Sequence, residues 1–274
     1  MLPFNLQTYS EMLNKGLASG YRFIGFDSLL NDRTSKQKKT LKTKELTQQS
    51  ILLRHDIDGD LSAAIAMARQ EAELGITSTY FLMWRSPCYN LMSRSSQNFA
   101  ESIIQCGHQI GLHYDQGYDD DRDIPRQVSE VTIQREANWL EELLNTKIHA
   151  VSFHQPSLAL LEEGINCGER INTYDKNLLS NFKYVSDSNR EFSLWLNDNR
   201  SSLDYSDALA NSWPQAMQIL VHPMWWVYEE SETNSVWDSV LRSNLLQTEK
   251  QLIATERAYG RKREFVIKSD NNNV

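Results

Sequence analysis

Apolar residues recur along this chain with two spacings, one typical of helices and one typical of strands. Helical spacing predicts helices over 9–17, 61–74, 100–106, 128–144 and 236–259. Shorter apolar runs between them predict strands over 21–24, 51–53, 77–83, 109–113, 149–153 and 217–221. Gly20, Gly75 and Gly107 follow the first three helices, as glycine commonly does where a helix ends.

Strands that alternate with helices over about 250 residues predict a parallel sheet covered by helices, either open or closed into a barrel. Residues 171–200 depart from this alternation. Three short segments there, at 171–177, 182–189 and 192–198, have the pattern of antiparallel strand pieces. We therefore expect an α/β fold whose middle part is less regular than the rest.

Composition is that of a globular protein. The 274 residues suffice for one large domain or two small ones, and 40% hydrophobic with 23% charged residues exclude wholesale disorder. Lys and Arg number 28 against 36 Asp and Glu, and the net charge of −8 argues against a nucleic-acid-binding protein. Apolar runs of about 18 residues are absent, so we expect no membrane span.

Two features bear on location. The first residues lack a basic stretch followed by an apolar core, and Cys88, Cys106 and Cys167 are an odd number of widely spaced thiols. Both features predict a cytoplasmic protein with reduced cysteines. The polar segment 31–49 predicts a surface loop, with a phosphate or lipid-headgroup contact as the alternative.

Two acids follow the strand predicted over 51–53. If the chain stays extended, Asp56 and Asp58 project to the same side and His55 to the other. Two carboxylates at this spacing, near a core, cannot both remain ionised without a partner. A divalent cation could be that partner, or one acid could hold a proton for acid–base catalysis. Turn and helix N-cap chemistry before Leu61 is the third interpretation.

Histidines mark the ends of the predicted strands and helices. Extended, His113 would leave its strand on the same side as Gly111, while His154 and His222 each precede a proline-terminated strand end. In parallel α/β folds the carboxyl ends of the strands form the active-site face. Imidazole and carboxylate together are typical zinc ligands, although a single such histidine could be structural. Five of the six histidines follow this pattern, namely His55, His108, His113, His154 and His222.

Aromatic residues are concentrated near the last of these histidines. Trp225 and Trp226 are adjacent, and two neighbours on a strand cannot both face inward. We therefore expect at least one of these rings to line a cleft, where it would offer a flat apolar face to a sugar.

In this order and spacing, the motifs resemble the polysaccharide deacetylase family, carbohydrate esterase family 4, over roughly residues 50–225. More narrowly they resemble its cytoplasmic branch associated with surface-polysaccharide biosynthesis. The resemblance implies a distorted (β/α) barrel in a single α/β domain. It also implies a general base at Asp56, metal ligands at Asp58 and His113, a general acid at His222, an orienting acid at Asp187, and substrate contacts from Arg54, Trp225 and Trp226.

The sequence departs from the family pattern at two positions. The second metal histidine of the family would fall at Gly117, and the arginine of the third motif is His154. The resemblance therefore implies a ligand set of Asp58, His113 and His154, with Asp115 as the competing third ligand. Catalytic zinc usually takes three protein ligands and keeps one position open.

The activity implied is metal-dependent hydrolysis, with zinc as the expected ion, of an N-acetyl group on an amino sugar. A nucleotide-linked, lipid-linked or oligosaccharide intermediate is the expected substrate. The alternatives are hydrolysis of another linear or cyclic amide, a non-catalytic carbohydrate-binding protein and, least of all, a ferrous oxygenase. The domain limits that follow are an N-terminal helix, strand and loop over 1–50, a deacetylase-like domain over 51–265 and a disordered tail over 266–274.

Overall fold

The computed structural model describes residues 4–30, 49–117, 126–188, 193–196, 199–202 and 213–259. The loop predicted over 31–49 lies almost wholly outside these ranges, and the tail predicted over 266–274 lies wholly outside them. The described helices are α1 (Leu6–Ala18), α2 (Leu61–Glu73), α3 (Arg94–Gln105), α4 (Glu130–Leu144), α5 (Leu158–Glu163), α6 (Lys176–Asn181), α7 (Pro223–Val227) and α8 (Thr233–Thr255), with a 3-10 helix at Phe26–Leu29. The strands are β1 (Arg22–Phe23), β2 (Ser50–Ile57), β3 (Thr79–Leu82), β4 (Gln109–Asp115), β5 (Ala150–His154), β6 (Ile171–Asn172), β7 (Lys183–Ser186), β8 (Ser193–Leu196), β9 (Asn199–Ser202) and β10 (Ala216–Val221).

Seven strands form a parallel sheet in the order β6-β5-β4-β3-β2-β10-β7, and the sheet curls into a half-barrel flanked by helices. β1 runs parallel to the start of β2, while β8 and β9 extend the sheet beyond β7 in antiparallel pairs. The prediction of a single α/β domain of the distorted barrel type is confirmed. None of the described helices is long and apolar enough to cross a membrane.

The antiparallel prediction for residues 171–200 was wrong for its first segment, because β6 pairs in parallel with β5. It was half right for the second, where β7 pairs in parallel with β10 and antiparallel with β8. β8, within the segment 192–198, is antiparallel to both its neighbours, β7 and β9. Helix α6 forms the crossover between β6 and β7, so both strands can run parallel to the rest of the sheet. The short apolar runs alone did not indicate this helix.

The central strand β2 is buried along its whole length and separates two environments. Its even-numbered side chains point into the half-barrel, where Leu52 packs with Phe81 of β3 in an apolar cluster. Its odd-numbered side chains point outward, and Leu53 packs there with apolar residues of α1 and α2. Alternation along one strand therefore decides which polar residues reach the interior and which reach the helix layer.

Gly111 in β4 is required by packing inside the half-barrel. A Cβ added there would lie 2.4 Å from ring carbons of Phe81, closer than a real contact allows. The Phe81 ring in turn lies 5.5 Å from the guanidinium carbon of Arg54. The absence of a side chain at Gly111 therefore lets Phe81 occupy its place beside Arg54.

We expect Gly111→Ala to lower the free energy of unfolding by about 1–3 kcal/mol, the usual cost of overpacking a filled core. Urea denaturation measures the change. The double variant Gly111→Ala/Phe81→Leu, compared with Phe81→Leu alone, should recover most of the loss because the clashing ring is gone. Equal stability of Gly111→Ala and the unmodified chain would contradict this packing account.

Candidate functional site

Four of the predicted site residues meet at the carboxyl ends of the parallel strands. Asp58 follows β2, His113 lies near the end of β4, His154 ends β5, and His222 follows β10. Parallel pairing of the strands brings these ends to one edge, with Asp115 of β4 opposite His154 of β5. The site is thus assembled from segments far apart in the sequence.

Asp58, His113 and His154 form a cluster that could hold a metal ion. One ligand atom from each lies within 4.8 Å of the others. Asp58 Oδ1 is 3.1 Å from His113 Nε2 and 3.3 Å from His154 Nδ1. One carboxylate oxygen with two imidazole nitrogens is a donor set that suits zinc. The residues present therefore fit such an ion.

Asp58 is held as a carboxylate in this cluster. Burial alone would raise the pKa of Asp58, but hydrogen bonds from His113 and His154 and the charge of His222 outweigh burial and hold its pKa well below the ordinary range. Its side chain is 13% exposed, so one edge of the cluster faces the exterior. An ionised, accessible oxygen is what a cation ligand requires.

His154 enters the cluster from a turn with unusual backbone geometry. Gln155, directly after it, has a φ of 41°, in the left-handed region that few non-glycine residues adopt. The His154 ring meets the His113 ring edge to face, with 5.2 Å between the centroids. Burial would lower the pKa of His154, yet its hydrogen bond to Asp58 and the Asp58 charge raise it above the ordinary value.

Asp115, the competing third ligand, is engaged elsewhere. Its Oδ1 accepts a hydrogen bond of 2.9 Å from the backbone N–H of Gly117. Gly117 has a φ of 68°, which suits the tight turn closed by this bond. The Asp115 carboxylate therefore stabilises the end of β4 and is not one of the three clustered ligands.

Asp56 lies beneath the cluster, bound on both oxygens by Arg54. The Arg54 Nε is 2.9 Å from Oδ1 and Nη2 is 2.6 Å from Oδ2. Burial would raise the pKa of Asp56, but the Arg54 charge, then His113, outweigh burial and lower its pKa. Asp56 thus stays ionised although it is buried.

Arg54 requires a correction to its expected role. It is fully buried, and besides Asp56 it donates to Thr173 Oγ1 and to the Tyr174 hydroxyl, each at 2.9 Å. Its guanidinium carbon also lies 4.8 Å from the Tyr174 ring centroid. With these bonds inside the half-barrel and no exposed surface, Arg54 is placed to hold Asp56 rather than to reach a bound molecule.

Ser152 is a site residue that sequence reasoning missed. Its hydroxyl is 2.6 Å from His113 Nδ1 and 3.3 Å from Asp56 Oδ1. It therefore links the base position to a ligand position and fixes the ring of His113, as outer partners of metal-binding histidines commonly do. Its place two residues before His154 puts it on the same face of β5, and this spacing was the available signal.

His222 and Asp187 form a second polar pair beside the cluster. Asp187 Oδ1 lies 2.6 Å from His222 Nδ1, and Oδ2 accepts from the His222 backbone N–H at 2.9 Å. Burial would lower the pKa of His222, but the Asp187 carboxylate outweighs burial and raises the pKa to about 9. The other ring nitrogen, Nε2, is 3.8 Å from Asp58 Oδ2 and so faces the cluster.

The expectation for Trp225 and Trp226 was wrong. They lie in helix α7, not on a strand, and both rings are buried, with 5% and 1% of their surface exposed. Trp226 Nε1 donates to Asp187 Oδ2 at 2.8 Å, which fixes the acid that holds His222. The prediction assumed that neighbouring side chains on a strand point to opposite faces. In a helix, neighbouring side chains point in directions only 100° apart, so the surrounding structure can bury both rings.

His55 and His108 also lie away from the cluster, on the outer face of the sheet. Both are near the buried carboxylate of Glu71, with His55 Nε2 at 2.8 Å from Oε1. This carboxylate also accepts hydrogen bonds from the hydroxyls of Tyr9 and Tyr80. These two histidines belong to a structural network that joins α1 and α2 to the sheet.

Comparisons with known proteins gave structural likenesses alone. A structure of a Streptococcus mutans esterase of carbohydrate esterase family 4 has a TM-score of 0.40 at 18% identity, covering 75% of this chain and 86% of that one. A Streptococcus pyogenes deacetylase in complex with acetate gives 0.38 at 14% identity, covering 88% and 85%. A pseudoenzyme of the same family from Bacillus anthracis gives 0.38 at 13% identity, covering 74% of this chain and 62% of that one.

The chain spans 62–65% of the length of the three structures of this pseudoenzyme. No protein-family model and no curated protein matches the sequence.

We expect the His222 imidazole to titrate with a pKa of about 9 in the metal-free protein, and Asp187→Asn to lower that pKa. Removal of the Asp187 carboxylate takes away the largest contribution that offsets burial, and only the charges of Asp58 and Asp56 remain to favour the charged ring. NMR titration of the imidazole signals measures the change, with His222→Gln identifying the resonance. Asp238→Asn, at an exposed position of α8, is the control and should leave the titration unchanged. A His222 pKa that is the same in Asp187→Asn would contradict the pairing.

Proposed function

We propose that this chain is a metal-dependent hydrolase that removes an N-acetyl group from an amino sugar. The observation that carries the proposal is that both Asp56 and His222 lie against one cluster of metal-ligand atoms, Asp56 Oδ2 at 3.6 Å from His113 Nδ1 and His222 Nε2 at 3.8 Å from Asp58 Oδ2. A site of this kind offers a cation, a proton acceptor and a proton donor together, which amide hydrolysis needs. The motif resemblance to the polysaccharide deacetylase family supports the same reaction.

Asp58, His113 and His154 would hold the ion, with zinc the ion that best suits their donor atoms. A zinc ion there would supply Lewis acidity, which lowers the pKa of water and polarises an amide carbonyl. Ser152 fixes the orientation of the His113 ring. His154 is favoured over Asp115 because the clustered ligand atoms are those of Asp58, His113 and His154, and Asp115 Oδ1 caps the turn at Gly117.

The protein groups move two protons. Asp56 takes the proton of the attacking water, and the Arg54 guanidinium keeps Asp56 in the ionised form that can accept it. His222 gives its proton from Nε2 to the departing amine, while Asp187 holds Nδ1 and stabilises the charged ring. The C–N bond breaks, and the products are acetate and a free amino sugar.

The proposal extends to location and pathway. The resemblance to the cytoplasmic branch of that family supports action in the cytoplasm. An acetylated sugar intermediate of surface-polysaccharide biosynthesis, bound to a nucleotide, to a lipid or within an oligosaccharide, is then the substrate that the resemblance favours. Release of acetate, rather than ammonia or an opened ring, separates this reaction from hydrolysis of another amide.

We expect Asp58→Ala to lose both bound zinc and acetate release, whereas Asp56→Asn keeps the ion and loses about 10²–10⁴-fold in turnover. The reason is that Asp58 supplies an anionic ligand and Asp56 only a proton acceptor. Metal analysis after equal zinc loading, with acetate release from N-acetylglucosamine oligosaccharides, measures both effects. Full zinc occupancy in Asp58→Ala would reject the ligand assignment. Zinc binding without acetate, ammonia or ring opening from any amide substrate would instead favour a non-catalytic protein.

His154→Ala should lose bound zinc, and Asp115→Ala should keep it. His154 shares the cluster with Asp58, whereas the Asp115 carboxylate is used in a turn. The two variants are assayed for zinc under identical loading, and thermal melting controls for damage to the turn. Zinc lost only from Asp115→Ala would show that the third ligand is Asp115.

A further inference from the structure

A cavity that is open to solvent lies near the candidate metal cluster. It has a volume of about 510 Å³ and is lined by α8, the first turns of α3, residues 86–90 and residues 60–61. Ligand pockets commonly measure about 300–1,000 Å³, so this cavity can hold a small molecule or one part of a larger one. Neither the motif resemblance nor the proposed reaction assigns it a role.

A lining residue of the cavity contacts the backbone of the cluster. The Ser86 hydroxyl, on its lining, donates to the backbone carbonyl of Asp58 at 2.9 Å. Asp60, also on the lining, follows Asp58 by two residues. A ligand in the cavity would therefore lie beside a substrate whose amide reaches the cluster.

The lining consists mainly of neutral polar side chains. Helix α8 contributes Asn244, Gln247 and Gln251, and the opposite wall contributes Asn90 and several serines. Within the described part of the chain, the Gln247 amide makes no hydrogen bond, so its donor and acceptor are available to a ligand. Side-chain amides and hydroxyls that both donate and accept match the hydroxyl groups of a sugar.

Two rings and the charge of the lining narrow the ligand class. Phe99 and Tyr89 add apolar surface, which suits the C–H face of a sugar. No Lys or Arg is among the described residues that line the cavity, and Asp60 is acidic. The first turn of α3 also lines the cavity, and a helix N-terminus by itself favours anions. Its Ser96 N–H is already bound by the Ser93 hydroxyl, and with no cation on the lining and Asp60 nearby, a diphosphate carrier is a poor match.

We propose that this cavity binds an uncharged saccharide unit adjoining the sugar that is deacetylated. The proposal rests on the proposed function, and it favours an oligosaccharide over a nucleotide-linked substrate. The cavity is lined by residues other than the metal ligands, so saccharide binding can be measured without catalysis.

Calorimetry on the full-length chain provides the test. The probes are neutral trisaccharides of glucose, galactose, mannose and N-acetylglucosamine, with uridine diphosphate and pyrophosphate as the anionic counterparts. We expect at least one trisaccharide to bind, and Gln247→Trp to weaken that binding about tenfold or more because the ring fills the cavity. Gln247→Ala, which removes the amide without filling the space, should weaken binding to a smaller extent. Leu246→Trp places the same ring at the exposed neighbouring position and should bind like the unmodified chain.

Three results would overturn the proposal: no trisaccharide binds, binding is unaffected by Gln247→Trp, or uridine diphosphate binding is the one that Gln247→Trp weakens. Failure of the proposed function is a separate outcome. Saccharide binding that depends on Gln247, in a protein that releases no acetate, would remove the deacetylase proposal and keep the cavity. Acetate release with no effect of Gln247→Trp on KM or on saccharide binding would keep the deacetylase proposal and reject the saccharide site.

Discussion

The site depends on one interaction, the buried ion pair between Arg54 and Asp56. Charges cannot leave water without a partner, and removal of one member of such a pair commonly costs about 3–5 kcal/mol. Here two parallel hydrogen bonds join the charges, and Thr173 and Tyr174 each accept a further guanidinium N–H. Those two residues follow β6, at the far edge of the parallel sheet from β2, so the pair requires the sheet to curl. The curl of the sheet and the ionised state of Asp56 therefore depend on each other.

Alternation along β2 separates two polar networks that would otherwise interfere. Asp56 points inward to Ser152 and His113, while His55, its neighbour in the chain, points outward to Glu71. In the outer network burial would raise the pKa of Glu71, but the charges of His55 and His108 with several hydrogen bonds lower it. The outer network joins α1 and α2 to the sheet, and the inner one prepares the candidate site. A slip of one residue in the register of β2 would exchange the two.

Sequence reasoning identified most of the fold, because helical and strand spacing differ clearly in a parallel α/β chain. It also placed Asp58, His113, His154 and His222 at strand ends, which the structure brings together. The side of the sheet to which each side chain points was harder to predict. Two histidines at strand boundaries face the helix layer, and Trp225 and Trp226 are buried because their segment is a helix. Ser152 carries no chemical signal by itself, since its role comes from Asp56 and His113 on two other strands.

Some residues of the site region are needed for folding and others only for a reaction, and Gly111 belongs to the first kind. Its role is to admit the Phe81 ring, and this need persists whether or not the protein catalyses a reaction. Arg54 and Asp56 likewise cannot be replaced one at a time, because either one alone would be a buried unpaired charge. His154, which is 24% exposed, has no such tie to the core. If a chain of this kind lost its activity, selection for folding would still retain Gly111 and the ion pair. His154 would be free to change. In a comparison of similar chains, an intact pair at the positions of Arg54 and Asp56 is consequently a weak indicator of activity, and the residue at the position of His154 is the more informative one.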